Sequence, residues 1–464
     1  MAAVPRETPI VLLSNRGPVA FSHDDDGALV GRRGGGGLVS GIAPLVAGTD
    51  ALWLAAAMSD ADREAAAAGV TEADGLRVRL LDIPADTYAA HYDTICNATL
   101  WFAAHGLFDA ARSPQLDAPW YDAWDAFREV NHVFAAAAAE AAPEGAVVLV
   151  QDYHLALVAP ALRAARPDVR CAYFEHTAWC EPDGLNPIGP VAAELLQGIA
   201  ANHGVGFHTA RWASRFEACV AAHTPGTPVA TFVSPLGPDP DDVLAAASSG
   251  RCTDAKAELR ARIGDRKVLV RVDRMELSKN VLRGFAAYDE LLANEPSWRE
   301  RVTFVALCYP SREGLPEYAT YRADVEAAVA EINERWGTPG WQPIVLETDD
   351  DFPRSVAALA IADVVLVNPV RDGLNLVAKE QAIVSEHAAA LVLSTEAGAW
   401  DELGDSGAIG VNPFDVSGTA RALHEALTMD SAERTRRHET MRRETLARTP
   451  RDWLADQLES VGRG

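Results

Sequence analysis

Residues 146–152 read AVVLVQD, a short run of apolar residues that ends at an acid. The apolar residues follow one another without the alternation of a strand that has one face in water. A continuous run of this kind predicts a strand covered by helices on both faces, as in a parallel α/β sheet. Asp152 then stands at the carboxyl end of the strand, which is where parallel sheets place their ligands.

The same pattern recurs on both sides of this stretch. Helix-like patterns separate the strand-like runs, at 121–142 and 210–224 for example, and this alternation is typical of parallel α/β sheets. The strand-like runs of the first half are IVLLSN (10–15), ALWLAAA (51–57), AVVLVQD (146–152), RCAYFEHT (170–177) and GVGFHT (204–209).

A stretch rich in Pro, Gly and Asp, SPLGPDPDD (234–242), interrupts the pattern, which then begins again. We predict a domain over 1–237, a second over 238–448, and a C-terminal helix over 449–464 that packs back on the first domain. Two such α/β domains are expected to face a central cleft with the carboxyl ends of their strands. The second set of strand-like runs is KVLVRVD (267–273), RVTFVALCY (301–309), PIVLETD (343–349), DVVLVNP (363–369) and AALVLST (389–395).

Composition excludes several classes of protein. The 464 residues carry a formal net charge of −25, which argues against nucleic acid or an anionic membrane as partner. No export signal and no apolar run of about 18 residues is present, so we expect a cytoplasmic protein. The six cysteines form no CxxC pair, and neither HxxxH nor HExxH occurs, so no metal site is expected. Small molecules are the expected partners, and a homo-oligomer stays open.

The strand ends of the first half carry three candidate features. Arg16 follows the first strand, and the four glycines of GRRGGGGLVSG (31–41) precede a helix expected at Leu38. Such a glycine stretch is either a flexible hairpin or a loop that approaches a phosphate at a helix N-terminus. Asp152 and His176 end neighbouring strands; they are either satisfied core residues or hydrogen-bonding partners of sugar hydroxyls.

The second half offers cations and a charged helix start. Arg274 and Lys279 follow the strand KVLVRVD, where they either bind a diphosphate or are ordinary surface charges. The stretch RDGLNLVAKE (371–380) predicts a helix that begins near Gly373, with the amides of Gly373, Leu374, Asn375 and Leu376 at its positive end. Asp372 would then lie at the mouth of the cleft and Glu380 two turns along the helix. In the alternative interpretation, Asp372 is only the N-cap of the helix and Glu380 a solvated acid.

Five motifs together resemble one family. They are YDTICNATLW (92–101), DYHL (152–155), VDRMELSKN (272–280), YPSRE (309–313) and RDGLNLVAKE (371–380). In this order they resemble the trehalose-6-phosphate synthases, retaining glycosyltransferases with two Rossmann-like domains in the GT-B architecture. The resemblance covers nearly the whole chain. It implies transfer of glucose from a nucleotide diphosphate glucose to glucose 6-phosphate, which gives α,α-trehalose 6-phosphate without a metal, another cofactor or a covalent nucleophile.

The resemblance also implies roles for individual residues. Asp152 would bind the acceptor sugar and His176 the transferred glucose, while Arg274 and Lys279 would hold the donor diphosphate. The acceptor phosphate would be bound by Arg16, Tyr92, Trp101 and Arg312. The donor glucose and phosphate would be bound by Asp372 and Gly373–Leu376, and the donor ribose by Glu380. The loop that contains Gly36 and Gly37 would close over the donor.

Two departures from the family pattern affect the site. The family follows its strand histidine with an HxPxP stretch, whereas His176 here leads into TAWCEPDG. The family also carries an aromatic residue near the nucleobase, and an ungapped count places Asp350 there. A carboxylate accepts two hydrogen bonds from guanine that uracil cannot offer, which favours GDP-glucose over UDP-glucose as donor. A two-residue gap would instead bring Phe352 to that position.

Two other functions remain as alternatives. A pseudo-glycosyltransferase that couples cyclitols would use the same scaffold, but Arg16, Tyr92 and Trp101 match the sugar-using form. A non-catalytic regulator that binds sugar phosphates would be favoured by loss of His176 or of the cation pair, and these residues are present.

Overall fold

The computed structural model describes residues 8–24, 26–34, 37–312 and 314–462, which form two compact units. The first unit comprises the described part of residues 1–236 together with that of 450–464. The second unit runs from Gly237 to Thr449. The division along the chain therefore falls next to the Pro- and Gly-rich stretch at 234–242.

The first unit is built on an eight-stranded sheet with the order β10-β9-β8-β7-β1-β4-β6-β5, in which only β5 runs antiparallel to its neighbour. A separate antiparallel hairpin, β2–β3, follows β1. The strands are β1 (Ile10–Leu13), β2 (Val19–His23), β3 (Leu29–Arg33), β4 (Leu52–Ala56), β5 (Val70–Ala73), β6 (Leu76–Leu81), β7 (Val147–Gln151), β8 (Arg170–Glu175), β9 (Gly204–Phe207) and β10 (Thr231–Val233).

Helices connect the parallel strands of this unit, and β7 is buried at every residue, as its continuous apolar run predicts. A π-helical segment, Ala90–Leu100, carries Tyr92 and leads directly into a short α-helix. The α-helices are α1 (Gly37–Val46), α2 (Asp60–Ala67), α3 (Ala85–Ala89), α4 (Trp101–His105), α5 (Ala118–Ala141), α6 (Val158–Ala165), α7 (Gly189–Ala200) and α8 (Ala210–His223).

The second unit contains a six-stranded, fully parallel sheet with the order β13-β12-β11-β14-β15-β16. Its central strand sends Val268 and Val270 into one hydrophobic core and Leu269 into another, so both faces of the sheet are covered. The strands are β11 (Lys267–Arg274), β12 (Val302–Tyr309), β13 (Ile344–Glu347), β14 (Val364–Val367), β15 (Ala390–Ser394) and β16 (Ile409–Val411).

The connections of the second unit are again helical. Each crossover between parallel strands contains at least one helix, as right-handed crossovers of this kind require. The helices are α9 (Pro240–Ala247), α10 (Gly250–Ile263), α11 (Val281–Asn294), α12 (Pro316–Trp336), α13 (Phe352–Ile361), α14 (Val377–Val384), α15 (Trp400–Leu403), α16 (Val416–Thr428) and α17 (Ser431–Leu446).

The C-terminal helix, α18 (Pro450–Ser460), belongs to the first unit. Its Trp453 side chain is fully buried and packs edge-on against Phe174 of β8, with ring centroids 5.0 Å apart. Gln457 of the same helix is also buried. The last helix therefore supplies core residues to the sheet that carries Asp152 and His176.

Two properties bear on the classes of function excluded above. None of the helices in the described residues is long and apolar enough to cross a membrane. All six cysteines are described, and each is buried and unbridged.

Candidate active site

The candidate residues follow strands at the point where each sheet reverses its strand order. In the first unit the order turns between β1 and β7, and Arg16 and Asp152 follow these strands. In the second unit it turns between β11 and β14, which precede Lys279 and Asp372. Ligands of open parallel sheets bind outside the carboxyl ends of the strands at such reversals. Each unit therefore carries its candidate residues where its own topology favours a ligand.

Asp152 lies in a strained backbone conformation with φ 73° and ψ 163°. Its amide donates to the Phe174 carbonyl at 2.8 Å, and its Oδ1 accepts from the amide of His176 at 3.3 Å. The other carboxylate oxygen lies 3.7 Å from Nδ1 of His154. Non-glycine residues persist in this region of φ and ψ only where their surroundings hold them, which is common at functional sites. The fold thus fixes the direction of the Asp152 carboxylate.

His176 is held by a chain of two glutamine side chains. Its Nε2 lies 3.0 Å from Oε1 of Gln151, whose Nε2 donates to Oε1 of Gln457 at 2.9 Å. Because an amide oxygen only accepts, this contact places the ring proton on Nε2. Burial lowers the pKa of His176, and the charge of Asp152 offsets part of this effect. The ring is therefore a neutral imidazole with its Nδ1 as acceptor.

An exposed cation stands beside these groups. The guanidinium of Arg16 donates to the Tyr92 hydroxyl at 3.2 Å, and the Tyr92 ring stacks on His154 with centroids 5.8 Å apart. Arg16 is thereby linked to the turn that carries Asp152. Trp101 is 3% exposed and packs against His105 with centroids 4.3 Å apart. The predicted contacts of these residues with an acceptor phosphate stay predictions.

The second unit gathers charges at the ends of β11 and β12. Arg274 lies 2.9 Å from Glu276, which is 1% exposed and also accepts from the Ser311 hydroxyl at 3.1 Å. Burial alone would raise the pKa of the Glu276 carboxyl, but three neighbouring cations outweigh it and lower the pKa to about 2. These cations are Arg274, Arg312 and Lys279. Glu276 therefore stays ionised near neutral pH, and the sequence reasoning did not identify it.

Lys279 and Asp372 form the second ion pair of this region, with Nζ and Oδ2 2.6 Å apart. Burial alone would lower the pKa of Lys279, but the surrounding carboxylates, with Asp372 first, raise it. The side-chain amide of Asn375 donates to the same Asp372 oxygen at 3.1 Å. Lys279 and Asp372, which follow two neighbouring strands, are therefore in direct contact.

The prediction that a helix begins near Gly373 is wrong. The helix α14 begins at Val377, and Asn375 has a φ of 84°, which an α-helix does not accommodate. The Asn375 side chain instead accepts from the Ala378 amide at 3.1 Å and so caps the helix. Gly373–Leu376 therefore form a loop, and Glu380 lies in the first turn of α14 rather than two turns along. Burial, followed by the charge of Asp242, raises the pKa of Glu380 to about 7.

Arg312 belongs to the charged group of the second unit. It has a φ of 51° and donates from Nη1 to the Tyr318 hydroxyl at 2.7 Å. Its predicted place in the acceptor phosphate pocket stays a prediction. Of the two glycines expected to close over the donor, Gly36 lies outside the described residues, whereas Gly37 is the first residue of α1. Gly34 follows the β2–β3 hairpin and Gly37 opens α1, and both interpretations of the glycine stretch stay predictions.

Asp350 lies in the exposed turn between β13 and α13. Its neighbour Asp351 has a structural role, since it accepts from the Arg354 amide at 3.2 Å as N-cap of α13 and pairs with Arg251 at 2.9 Å. Burial raises the pKa of Tyr309 at the end of β12, and Asp350 contributes. Asp350 therefore stands near a strand end of the second sheet. Phe352, the alternative, is 42% exposed at the start of α13.

Glu175, the last residue of β8, is the second acid that the sequence reasoning missed. It is fully buried, and its carboxyl contacts the Tyr173 hydroxyl and the Thr177 hydroxyl, each at 2.6 Å. Burial, followed by the charge of Asp152, raises its pKa well above the usual range. The available signal was an acid inside the apolar run RCAYFEHT. Among the residues the structure describes, no three His, Cys, Asp or Glu side chains cluster as a metal site would require.

Comparison with known proteins identifies the family of the chain. Residues 8–463 match the sequence profile of glycosyltransferase family 20. The trehalose-6-phosphate synthase of Mycolicibacterium smegmatis is 33% identical over 476 aligned residues, which cover 97% of this chain and 92% of that protein. The trehalose-6-phosphate synthase of Mycobacterium avium is 34% identical, with coverage of 97% and 94%.

Solved structures share the fold. The α,α-trehalose-phosphate synthase (UDP-forming) of Burkholderia xenovorans, in complex with glucose 6-phosphate, superposes with a TM-score of 0.85 at 27% identity and covers 98% of this chain and 100% of that one. An E. coli structure bound with UDP-2-fluoro glucose gives 0.85 at 26% identity, with coverage of 98% and 99%. These matches confirm the predicted α/β fold with two parallel-sheet, Rossmann-like domains. The chain belongs to glycosyltransferase family 20.

Proposed function

We propose that this protein is a trehalose-6-phosphate synthase. It would transfer glucose from a nucleotide diphosphate glucose to the anomeric hydroxyl of glucose 6-phosphate with retention of configuration. The observation that carries the proposal is the contact between Arg16 and Tyr92, whose ring stacks on His154 two residues after Asp152. A cation for a phosphate and a carboxylate for hydroxyls thus stand together, which suits a phosphorylated sugar as acceptor.

The donor half of the reaction would use the second unit. Arg274 and Lys279 are cations at the end of β11 and are compensated in the unliganded protein by Glu276 and Asp372. A donor diphosphate would share these cations, and their charge would stabilise the negative charge that develops as the nucleotide leaves. Asp372 would also accept from donor glucose hydroxyls, and Glu380 from the ribose.

The proposed chemistry needs no nucleophile on the protein. The bond from the glucose C1 to the diphosphate breaks, the acceptor O1 bonds to C1 on the same face, and the acceptor proton passes to the leaving phosphate oxygen. Asp152 and the neutral His176 would orient the two sugars, so that positioning and electrostatics supply the acceleration. In this proposal no metal takes part, and the rate in excess chelator should equal the rate without it.

GDP-glucose is the favoured donor in this proposal, and UDP-glucose is the next candidate. The support is the exposed Asp350 carboxylate beside a strand end, which is able to accept from two N–H groups of guanine. The structurally similar enzymes from Burkholderia are UDP-forming, so the two donors must be compared directly.

A donor screen tests the proposal. Glucose 6-phosphate is incubated with GDP-, UDP- or ADP-glucose, and the release of each nucleoside diphosphate is measured. We expect release only in the presence of glucose 6-phosphate, with GDP-glucose fastest. Release from none of the three donors would contradict the proposed activity. Faster turnover of UDP-glucose would contradict only the preference for guanine.

A further inference from the structure

Glu175 is a carboxyl group with no cation among its described hydrogen-bond partners. Its Oε2 contacts the Tyr173 hydroxyl at 2.6 Å, and its Oε1 accepts from the hydroxyl of Thr177 at 2.6 Å and from its amide at 3.2 Å. The side chain has no exposed surface. An ionised carboxylate in such a place is costly unless a cation compensates it, so these surroundings favour the neutral acid.

The groups around Glu175 come from several elements. The turn after β7 supplies Asp152, and β8 itself supplies Tyr173, which in turn lies near Tyr153. Thr177 and Tyr153 also line a small cavity of about 20 Å³. The other side chains of this cavity are mostly apolar, with Cys180 as the titratable member; they include Leu100, Ala104, Leu195 and Ile199. His176 points elsewhere, because its ring contacts Gln151 and Trp453.

Asp152 is the one carboxylate among these groups, and it lies within hydrogen-bonding reach of Glu175. Two carboxyl groups in contact hold one proton between them near neutral pH, because two adjacent negative charges repel each other. The buried member retains the proton, since Asp152 has 22% of its side chain exposed and also accepts from the amide of His176. The protonated Glu175 is then a hydrogen-bond donor directed at the Asp152 carboxylate.

We propose that Glu175 is a positioning residue for glucosyl transfer, which as a neutral acid donates to Asp152 and fixes the direction in which that carboxylate meets the acceptor sugar. The inference rests on the proposed function, because the role of Asp152 does. It assigns a specific use to an acid that interrupts an apolar strand. It also predicts that the loss of one proton from this pair disables the enzyme at alkaline pH.

The test compares Glu175→Gln, which keeps a neutral donor, with Glu175→Leu, which removes it. For the wild type we expect kcat to fall at alkaline pH as the pair loses its proton. Glu175→Gln should keep most of the neutral-pH kcat and lose the alkaline fall. At neutral pH Glu175→Leu should lower kcat about ten- to a hundredfold, which corresponds to one hydrogen bond to a charged group, with an unchanged KM for the donor. This deficit relative to the wild type should shrink at alkaline pH, where the wild type loses the same hydrogen bond.

Glu194→Gln is the matched control. Glu194 lies in the same unit, but its carboxylate pairs with Arg128 at 2.6 Å. This variant should be less stable to heat, but its kcat should fall at alkaline pH as it does in the wild type. A fall of kcat at alkaline pH that persists in Glu175→Gln, or a wild-type kcat in Glu175→Leu, would overturn the inference.

A second measurement does not depend on activity. At neutral pH the infrared carbonyl band of neutral carboxylic acid should be stronger in the wild-type protein than in Glu175→Gln, because Glu380 contributes equally to both spectra and Glu175 only to the first. An identical band in both proteins, or none in the wild type, would overturn the inference even if the protein has no transferase activity. A failed donor screen with the expected infrared difference would instead reject only the proposed function.

Discussion

The two units differ in the charge state of the buried side chains at their strand ends. In the first unit His176 has a lowered pKa and Glu175 a raised one, so both are neutral near pH 7. In the second unit Arg274 pairs with Glu276 and Lys279 with Asp372, so the groups remain charged. Neutral, oriented hydrogen-bonding groups suit sugar hydroxyls, whereas charges suit a diphosphate. The difference supports the proposed division of roles, with the acceptor sugar at the first sheet and the donor diphosphate at the second.

The largest expected effect is the loss of a cation in the second unit. Arg274→Ala should lower kcat by about two to three orders of magnitude, because the developing charge on the leaving diphosphate loses its partner. The side chain is 47% exposed, so the fold should survive, which thermal unfolding would verify. The control is Arg436→Ala, which removes an arginine side chain on α17 that is 66% exposed. It should leave kcat unchanged. Wild-type turnover in Arg274→Ala would remove this residue from the mechanism.

The contribution of a buried glutamate to the free energy of unfolding should change with pH in opposite directions in the two units. Glu276 has a lowered pKa of about 2, so its stabilisation is complete above the unfolded pKa of about 4.5 and is lost as pH falls towards 2. The shift corresponds to about 3 kcal/mol. Glu175 has a raised pKa, so its contribution is complete below pH 4.5 and is lost as pH rises.

Urea unfolding between pH 3 and pH 8 measures both slopes. The stability difference between the wild type and Glu276→Gln should shrink as pH falls below about 4.5. The stability of Glu175→Gln relative to the wild type should grow as pH rises above that value. Slopes of the same sign in both variants would contradict the comparison between the units.

A smaller effect is expected from the glutamine chain that holds His176. Gln151→Leu removes the acceptor at Nε2 and frees the ring tautomer, so kcat should fall about tenfold for one lost buried hydrogen bond. Gln457→Leu acts through Gln151 and should have a smaller effect. Nitrogen NMR of the His176 ring should show a protonated Nε2 in the wild type and a mixture of tautomers in Gln151→Leu. An unchanged tautomer would contradict the role of the chain.

An effect of similar size, confined to one of the two donors, concerns the nucleobase. Asp350→Asn should lower kcat/KM for GDP-glucose about tenfold, since one of two charge-assisted hydrogen bonds is lost, and leave that for UDP-glucose unchanged. Asp349→Asn changes the neighbouring exposed acid and is the matched control. A parallel loss with both donors would show that Asp350 does not read the base.

Local patterns in the sequence were sufficient to predict the ten parallel strands with continuous apolar runs. The six strands outside these runs, β2, β3, β5, β6, β10 and β16, were not predicted. The local patterns also placed Asp152, His176 and Lys279 at strand ends. Because the strands are parallel, their carboxyl ends meet at one edge of each sheet. The start of α14 could not be predicted, because Asn375 adopts a positive φ that depends on its bonds to Asp372 and Ala378.

Longer-range contacts were also beyond the sequence. Gln457 lies 306 residues from Gln151 along the chain, and no local pattern connects them. Glu175 and Glu276 were overlooked because their importance comes from burial, which a single sequence shows only indirectly. In both cases a charged residue inside or beside an apolar strand was the signal available.

The central claim is retaining transfer of glucose to glucose 6-phosphate. Proton NMR of the complete reaction, with nucleoside diphosphate release measured in parallel, tests it most directly. We predict one α,α-linked trehalose 6-phosphate formed for each nucleoside diphosphate released. A β-linked product, or nucleotide release that does not consume glucose 6-phosphate, would contradict the account.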